Sequence, residues 1–331
     1  MSDIKLPNGR PIGCLRWLFD VAKWLAGVGW FGAFTGVIAA ENSLFRFASL
    51  DDRSLGLWEA DRPVLVYNHG IIRKPGVPER LARSTYVHPL YGVDGEVLTD
   101  DFPADHLHHR GLFWAWPHVR VGQLHYDLWQ LRGIRQEFER WLRREVSGPE
   151  AILAVENGWY TGSEKVMAER VEFRVHPVEG GTRAVDVAFE WQVLQGPLSL
   201  QGAEGKSYGG LTLRFAPGTN TTIIIPAGQI AQDLPMTNLP WAGLSRLWDA
   251  TGQTSGAAIF VAPDHPDYPP QWLLRHYGVL CLGWPGVREA TFEAGQTIRA
   301  RYRIWIHRGS VDARRLQEAY DRYCRELKNG R

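Results

Sequence analysis

Strand-length apolar runs, separated by short polar or glycine-bearing clusters, constrain this chain more than any other feature. They fall at 151–155, 171–175, 184–193, 211–215, 222–225, 257–261, 278–282 and 298–306. Between them lie turn clusters such as Glu179-Gly180-Gly181, Pro217-Gly218-Thr219-Asn220 and Ala294-Gly295. Earlier in the chain Val64-Leu65-Val66-Tyr67 reads as a strand, and residues 73–83, with Pro75, Gly76 and Pro78, read as a loop. No strand-helix unit repeats, so a parallel sheet with crossover helices does not fit. The pattern predicts an all-β chain folded as an antiparallel two-sheet β-sandwich. Residues 311–327 differ: Ala313, Leu316, Ala319 or Tyr320, and Tyr323 recur at helical spacing with charges opposite, which predicts a C-terminal amphipathic helix capping a sheet.

The amino-terminal end obeys another rule. From Trp24 to Ala40 there are seventeen residues without a charge. As a helix they would span roughly 25 Å, against a hydrocarbon core of about 30 Å. Extending back to Leu15 supplies the missing length, with Arg16 and Lys23 able to reach the headgroups. The reading is therefore a 1–14 cytoplasmic tail, one transmembrane helix over 15–40, and an extracytoplasmic β-sandwich domain over 41–331. Lys5, Arg10, Arg16 and Lys23 precede the span while Glu41, Asp51 and Asp52 follow it, which places the amino terminus inside a bacterial inner membrane. A cleaved signal peptide, with Val37-Ile38-Ala39 near the cut, is the rival reading.

Within this segment Ala22, Ala26, Gly29, Ala33, Gly36 and Ala40 recur at spacings of four and three, and Gly32 with Gly36 adds a G-x-x-x-G step. In lipid, where apolar burial no longer drives association, small residues on one face let helices approach closely. The expected partners are the transmembrane helices of a larger membrane complex, together with membrane lipid. On this reading the chain is an accessory or scaffold subunit that holds its β domain on the extracytoplasmic face.

Composition closes off one class. With 37 basic and 36 acidic residues the formal charge is +1, so nothing in bulk electrostatics favours nucleic acid. Cys14, Cys281 and Cys324 have no metal-ligand spacing and cannot build a disulfide framework. Cys281 and Cys324 either pair outside the cytoplasm or stand as buried thiols.

Chemistry concentrates at Asp105-His106-Leu107-His108-His109-Arg110, which runs into Leu112-Phe113-Trp114-Ala115-Trp116. Imidazoles at the edge of an aromatic core can bind metal, exchange protons or hold a polyhydroxylated ligand. As metal ligands, His106 and His108 share one face of a strand while His109 points to the other, so a third ligand would come from His88 or His265. No cofactor is predicted, and a divalent metal is the minor alternative. As an acid/base site, His108 or His109 relays protons, with Glu204 or Asp264 as the second group and Arg110, Lys206, Arg214 or Arg275 steadying an oxyanion. A carbohydrate ligand would draw on His88, His106, Lys206, Tyr208, Arg214, His265 and Arg275. In the third reading these side chains form a buried hydrogen-bond network that joins loops. Tyr208-Gly209-Gly210 lacks the spacing of a phosphate loop and reads as close strand packing. Arg132, Arg135, Arg140, Arg143 and Arg144, interleaved with Glu137, Glu139 and Glu145, read as a solvated face or a docking surface.

Several motifs in order resemble the PmoA-like family of uncharacterised bacterial proteins, over roughly residues 60–325. They are Tyr86-Val87-His88-Pro89-Leu90-Tyr91, Gly95-Glu96-Val97-Leu98-Thr99-Asp100-Asp101, the Asp105–Arg110 block, Tyr208-Gly209-Gly210-Leu211-Thr212-Leu213-Arg214, Asp264-His265-Pro266 with Trp272 and Arg275, and Tyr302-Arg303 with His307. The resemblance implies an all-β fold similar to the supersandwich of sugar mutarotases and a setting near carbohydrate metabolism. It implies no known reaction. Copper and methane oxidation do not follow, because the subunit from which the family takes its label spans the membrane several times and this chain has one hydrophobic run at most. The alternative to a scaffold is thus a membrane-anchored carbohydrate-active enzyme or sugar-binding protein that uses the histidine cluster.

Overall fold

The computed structural model describes residues 44–330, all of them within one compact unit. The transmembrane reading of 15–40 and the small-residue face (Ala22, Ala26, Gly29, Gly32, Ala33, Gly36, Ala40) lie outside the described residues. Among the described residues no helix is long and apolar enough to cross a membrane.

Twenty-two antiparallel strands among the described residues form three sheets. A nine-stranded sheet runs from edge to edge through Phe45–Ser49, Ser54–Glu59, Arg62–Asn68, Tyr86–Leu90, Leu112–Ala115, Gly210–Arg214, Val279–Gly283, Gln271–Arg275 and Leu234–Asn238. The second, also nine-stranded, runs through Gly228–Ile230, Thr219–Ile225, Trp241–Leu247, Thr254–Val261, Thr297–Arg308, Thr182–Val193, Glu164–Val175, Glu150–Thr161 and Arg135–Ser147. A small sheet of Ala290–Phe292, Leu198–Gln201, His118–Val121 and Leu124–Tyr126 was not foreseen; the expected two-sheet sandwich is joined by this third sheet. Its strands are three or four residues long, too short to show an alternation in sequence.

The long strands form because their side chains alternate. In Thr182–Val193, Arg183, Val185, Val187, Phe189, Trp191 and Val193 point inward, while Asp186, Ala188 and Glu190 stay half-exposed on the other face. Arg183 is the exception to apolar filling, and it is paired with Glu59. The two large sheets meet through aromatic side chains: Trp114 lies edge-on to Phe189 at 4.9 Å, and Tyr67 lies against Phe173 at 5.8 Å. Between them Glu169 is wholly buried. Its carboxylate accepts indole N–H bonds from Trp114, Trp159 and Trp191 at 2.8–2.9 Å, and amide N–H bonds from Asn157 at 2.9 Å and Gln136 at 3.3 Å. A charge at such depth persists only when its lone pairs are met, and here donors from both sheets meet them.

The helix Ala313–Lys328 fits the predicted span, starting two residues later because Asp312 caps it, accepting a hydrogen bond from the Arg315 N–H at 2.8 Å. Leu316, Tyr320 and Tyr323 pack on Trp241, Phe260 and Trp305 of the second sheet. Of the cysteines, Cys281 is buried and free, and Cys324 is half-buried and free. The arginine-rich run forms the edge strand Arg135–Ser147, where Arg140 pairs with Glu156, and Arg143 with Glu145 and Glu172.

Candidate functional site

Residues 101–110 are not the strand that the metal reading assumed. They make consecutive tight turns: the His106 N–H donates to the Pro103 carbonyl at 3.0 Å and the His109 N–H to the His106 carbonyl at 2.8 Å. An i to i+3 turn brings side chains three apart together, where a strand would set them on opposite faces. His106 and His109 accordingly stack at 4.6 Å and 15°, with Tyr277 parallel to His106 at 5.4 Å on a strand-connecting turn. His108 stands edge-on to His109 at 4.7 Å, and Trp129 closes the far side, edge-on to His109 at 5.5 Å. Gly111 ends the turn because a Cβ there would meet the Val87 carbonyl oxygen at 2.3 Å.

Arg110 holds this turn in place. It is fully buried, donates to the carbonyls of Leu107 (2.9 Å), His109 (2.6 Å) and Leu81, lies 3.4 Å from Asp101 and covers the Phe102 ring at 3.5 Å. A guanidinium turned onto main chain in this way is a brace. Arg83, also buried, lies over Phe113 and donates to the carbonyls of Leu128 and Trp129, fixing the loop that carries Trp129 and Gln130. Asp105 joins two neighbours, accepting from Arg214 at 2.7 and 2.9 Å and lying 3.0 Å from His106 Nδ1.

Burial pushes His108 down to about 3 and His109 well below the usual histidine range; the other imidazoles and the surrounding arginines add to both shifts. Both rings are therefore neutral at physiological pH, each able to donate at one nitrogen and accept at the other. His108 Nδ1 lies 3.2 Å from the Gln130 amide, and the Gln130 main-chain N–H is held by Asp127 at 2.8 Å. Burial raises Asp101 to about 6 despite Arg110 and a hydrogen bond from Tyr86 at 3.0 Å. Burial also opposes the charge on Asp105, but its bonds with His106 and Arg214 outweigh it and hold the carboxyl below its usual range.

The sequence-predicted residues separate into two groups. Brought to the turn are His106, His108, His109, Arg110 and Arg214, with Tyr208 beside Trp129 at 4.8 Å. His88 lies close to it, 3.0 Å from Thr99 and lowered to about 4, first by burial and then by Arg110 and Lys74. The others have different partners. Asp264 pairs with Arg301 at 2.5 Å, and buried His265 bonds the Tyr302 hydroxyl at 2.9 Å and lies edge-on to Trp284. Arg275 reaches Asp233 at 3.4 Å, Lys206 is exposed, and Glu204 lies close to His118. The proposed acid/base pairing of His108 with Glu204 or Asp264 is thus not assembled. His106 and His108 are 5.8 Å apart and steeply inclined, and among the described residues no group of three or more His, Cys, Asp or Glu side chains could hold a metal ion.

Sequence reasoning missed Trp129, Gln130 and Tyr277 as site residues. They reach the turn from loops, where no periodicity marks them. It also missed the pair His118 and His125, bonded at 3.0 Å across the small sheet, near Asp127 and Glu204.

No curated protein matches the chain. Solved structures similar to it include a heparan sulfate lyase HepC mutant from Pedobacter heparinus, at 8% identity and TM-score 0.39, covering 82% of this chain and 36% of that one. Another is described as "Putative kojibiose phosphorylase from human microbiome", at 10% identity and TM-score 0.34, covering 87% of this chain and 29% of that one. The chain thus spans about a third of the length of either, and likeness at this level carries no functional argument. The expected PmoA-like membership is corrected by the family comparison, in which the matching model covers residues 57–321 and is that of a different family. The chain belongs to the family of unknown function DUF6807.

Proposed function

We propose that the turn at residues 105–109, with Trp129, Gln130 and Tyr208, is a saccharide-binding site. The observation that carries this reading is the half-buried, neutral His108 ring, set beside an aromatic wall and facing a side-chain amide. Saccharides present hydroxyls that need both donors and acceptors and C–H faces that suit aromatic rings. A neutral imidazole and an amide supply both kinds of hydrogen bond without titrating. Binding is favoured over proton transfer for a physical reason. A histidine lowered to about 3 is a weak base at neutral pH, and neither Glu204 nor Asp264 is among the charges that act most on it.

Calorimetric titration with a panel of mono- and oligosaccharides tests the reading. His108→Ala should weaken binding at least tenfold, about 1.4 kcal/mol, while the melting temperature stays within a few degrees of the parent. Unchanged affinity in this variant would overturn it, as would the failure of every saccharide to bind.

The amino-terminal anchor remains a proposal supported by the uncharged run from Trp24 to Ala40 and the basic residues before it. Together the two readings describe a sugar-binding domain tethered at the outer face of a membrane, with the small-residue face packing its helix against others.

A further inference from the structure

Arg214 ends the strand Gly210–Arg214 and is 5% exposed. Its pairing with Asp105 is incomplete in a specific way. One terminal nitrogen serves both carboxylate oxygens, at 2.7 and 2.9 Å, while Nε and the other terminal nitrogen are buried without an acceptor. A guanidinium usually meets a carboxylate through two parallel N–H bonds, and leaving buried N–H groups unmet is costly. Arg83, on the Trp129 side of the turn, likewise keeps Nε and one terminal nitrogen buried and unmatched.

The charges around the turn point the same way. After burial and the other imidazoles, the neighbours that act most strongly on His108 are Arg83, Arg110 and Arg80, and on His109 they are Arg214 and Arg110. The carboxylates at the turn are already engaged, Asp101 against Arg110 and Asp105 on Arg214 and His106. Asp105 is moreover an exposed partner on a turn, with 44% of its side chain open to solvent, and it is shared with His106. An exposed carboxylate on a buried guanidinium can be exchanged for one brought by a ligand, at far less cost than a carboxylate locked in the core.

We propose that the saccharide held at this turn is acidic, a hexuronate whose carboxylate is received by the Arg214 guanidinium in place of Asp105. The inference rests on the saccharide-binding reading and adds to it the charge of the ligand. Arg214 is then the residue that selects for the acid, while His108 and Gln130 serve the ring hydroxyls.

The test is calorimetric titration of the full chain with glucuronate and galacturonate and with the neutral glucose and galactose, each at low and high salt. The uronates should bind at least tenfold more tightly than the neutral sugars, and the difference should shrink as salt rises. Arg214→Gln should abolish the preference, and Arg214→Lys should restore part of it. Since Arg214 is buried, Asp105→Asn gives a test that keeps the arginine: removing the competing carboxylate should tighten uronate binding severalfold. Equal affinity for acidic and neutral sugars would overturn the acidic ligand and leave the saccharide site standing. Unchanged or weaker uronate binding in Asp105→Asn would overturn the exchange with Asp105. Failure of all four sugars, together with the failure of every oligosaccharide of the panel, would overturn the inference and the reading beneath it.

Discussion

At the scale of single residues, seven histidines whose protonation is opposed in the fold set the response to acid, His69, His109 and His118 among them. Burial is the leading cause in each, lowering His88, His265 and His307 to about 4 and His108 to about 3. The folded chain therefore takes up these protons less readily than the unfolded chain, whose histidines titrate near 6.5. Stability contributed in this way is complete above pH 6.5 and is lost as pH falls toward 4. Asp101, raised to about 6, acts in the opposite sense, since its folded form holds a proton that the unfolded form has released. Burial raises Asp100 and Asp127 too, and these three carboxyls against seven imidazoles leave the direction unchanged. The denaturation midpoint in urea should fall steadily between pH 6.5 and 4; a flat profile would contradict the burial of these rings. Little of this was legible in the sequence. The Asp105–Arg110 block was recognisable as the chemical centre, but not that Arg110 would turn inward onto the carbonyls of Leu107 and His109. A side chain's choice between main chain and ligand depends on loops that meet only in the folded state.

At the scale of elements, the apolar runs read from the second half of the chain fall on strands, and the C-terminal helix lies where its spacing placed it. Period-two alternation and helical spacing are local signals, so they survive without tertiary context. At 105–109 no such signal exists: Asp105-His106-Leu107-His108-His109 holds one apolar residue, so a strand is only the assumption under which His106 and His108 share a face. Hydrogen bonds from His106 to Pro103 and from His109 to His106 decide otherwise. The junction after that turn yields a prediction. Gly111→Ala would drive a Cβ against the Val87 main chain, which cannot yield as a side chain can. A loss of about 1–3 kcal/mol is expected by chemical denaturation. Wild-type stability in this variant would mean that the turn does not pack against the strand Tyr86–Leu90 as described.

At the scale of the whole molecule, Glu169 ties the two large sheets together. Trp114 comes from one sheet, while Trp159 and Trp191 come from the other, and all three indoles converge on one carboxylate. Glu169→Ala would strand three indole N–H groups and leave a void between the sheets. It should cost about 3–5 kcal/mol, read as a lowered urea midpoint. A change below about 1 kcal/mol would show that the cage contributes little. The amino-terminal proposal belongs to this scale as well. Replacing Gly29 and Gly36 with Leu should release the protein from partner helices in gentle detergent, and unchanged co-purification would count against the small-residue face.

The central claim, a saccharide site at the histidine turn, is tested most directly by following imidazole resonances during a titration with the saccharide of the panel that binds most tightly. The account predicts that signals of His106, His108 and His109 shift with saturation while those of buried His265 and His307 stay fixed. Shifts confined to His265 or His307, or no shift at any histidine, would contradict it.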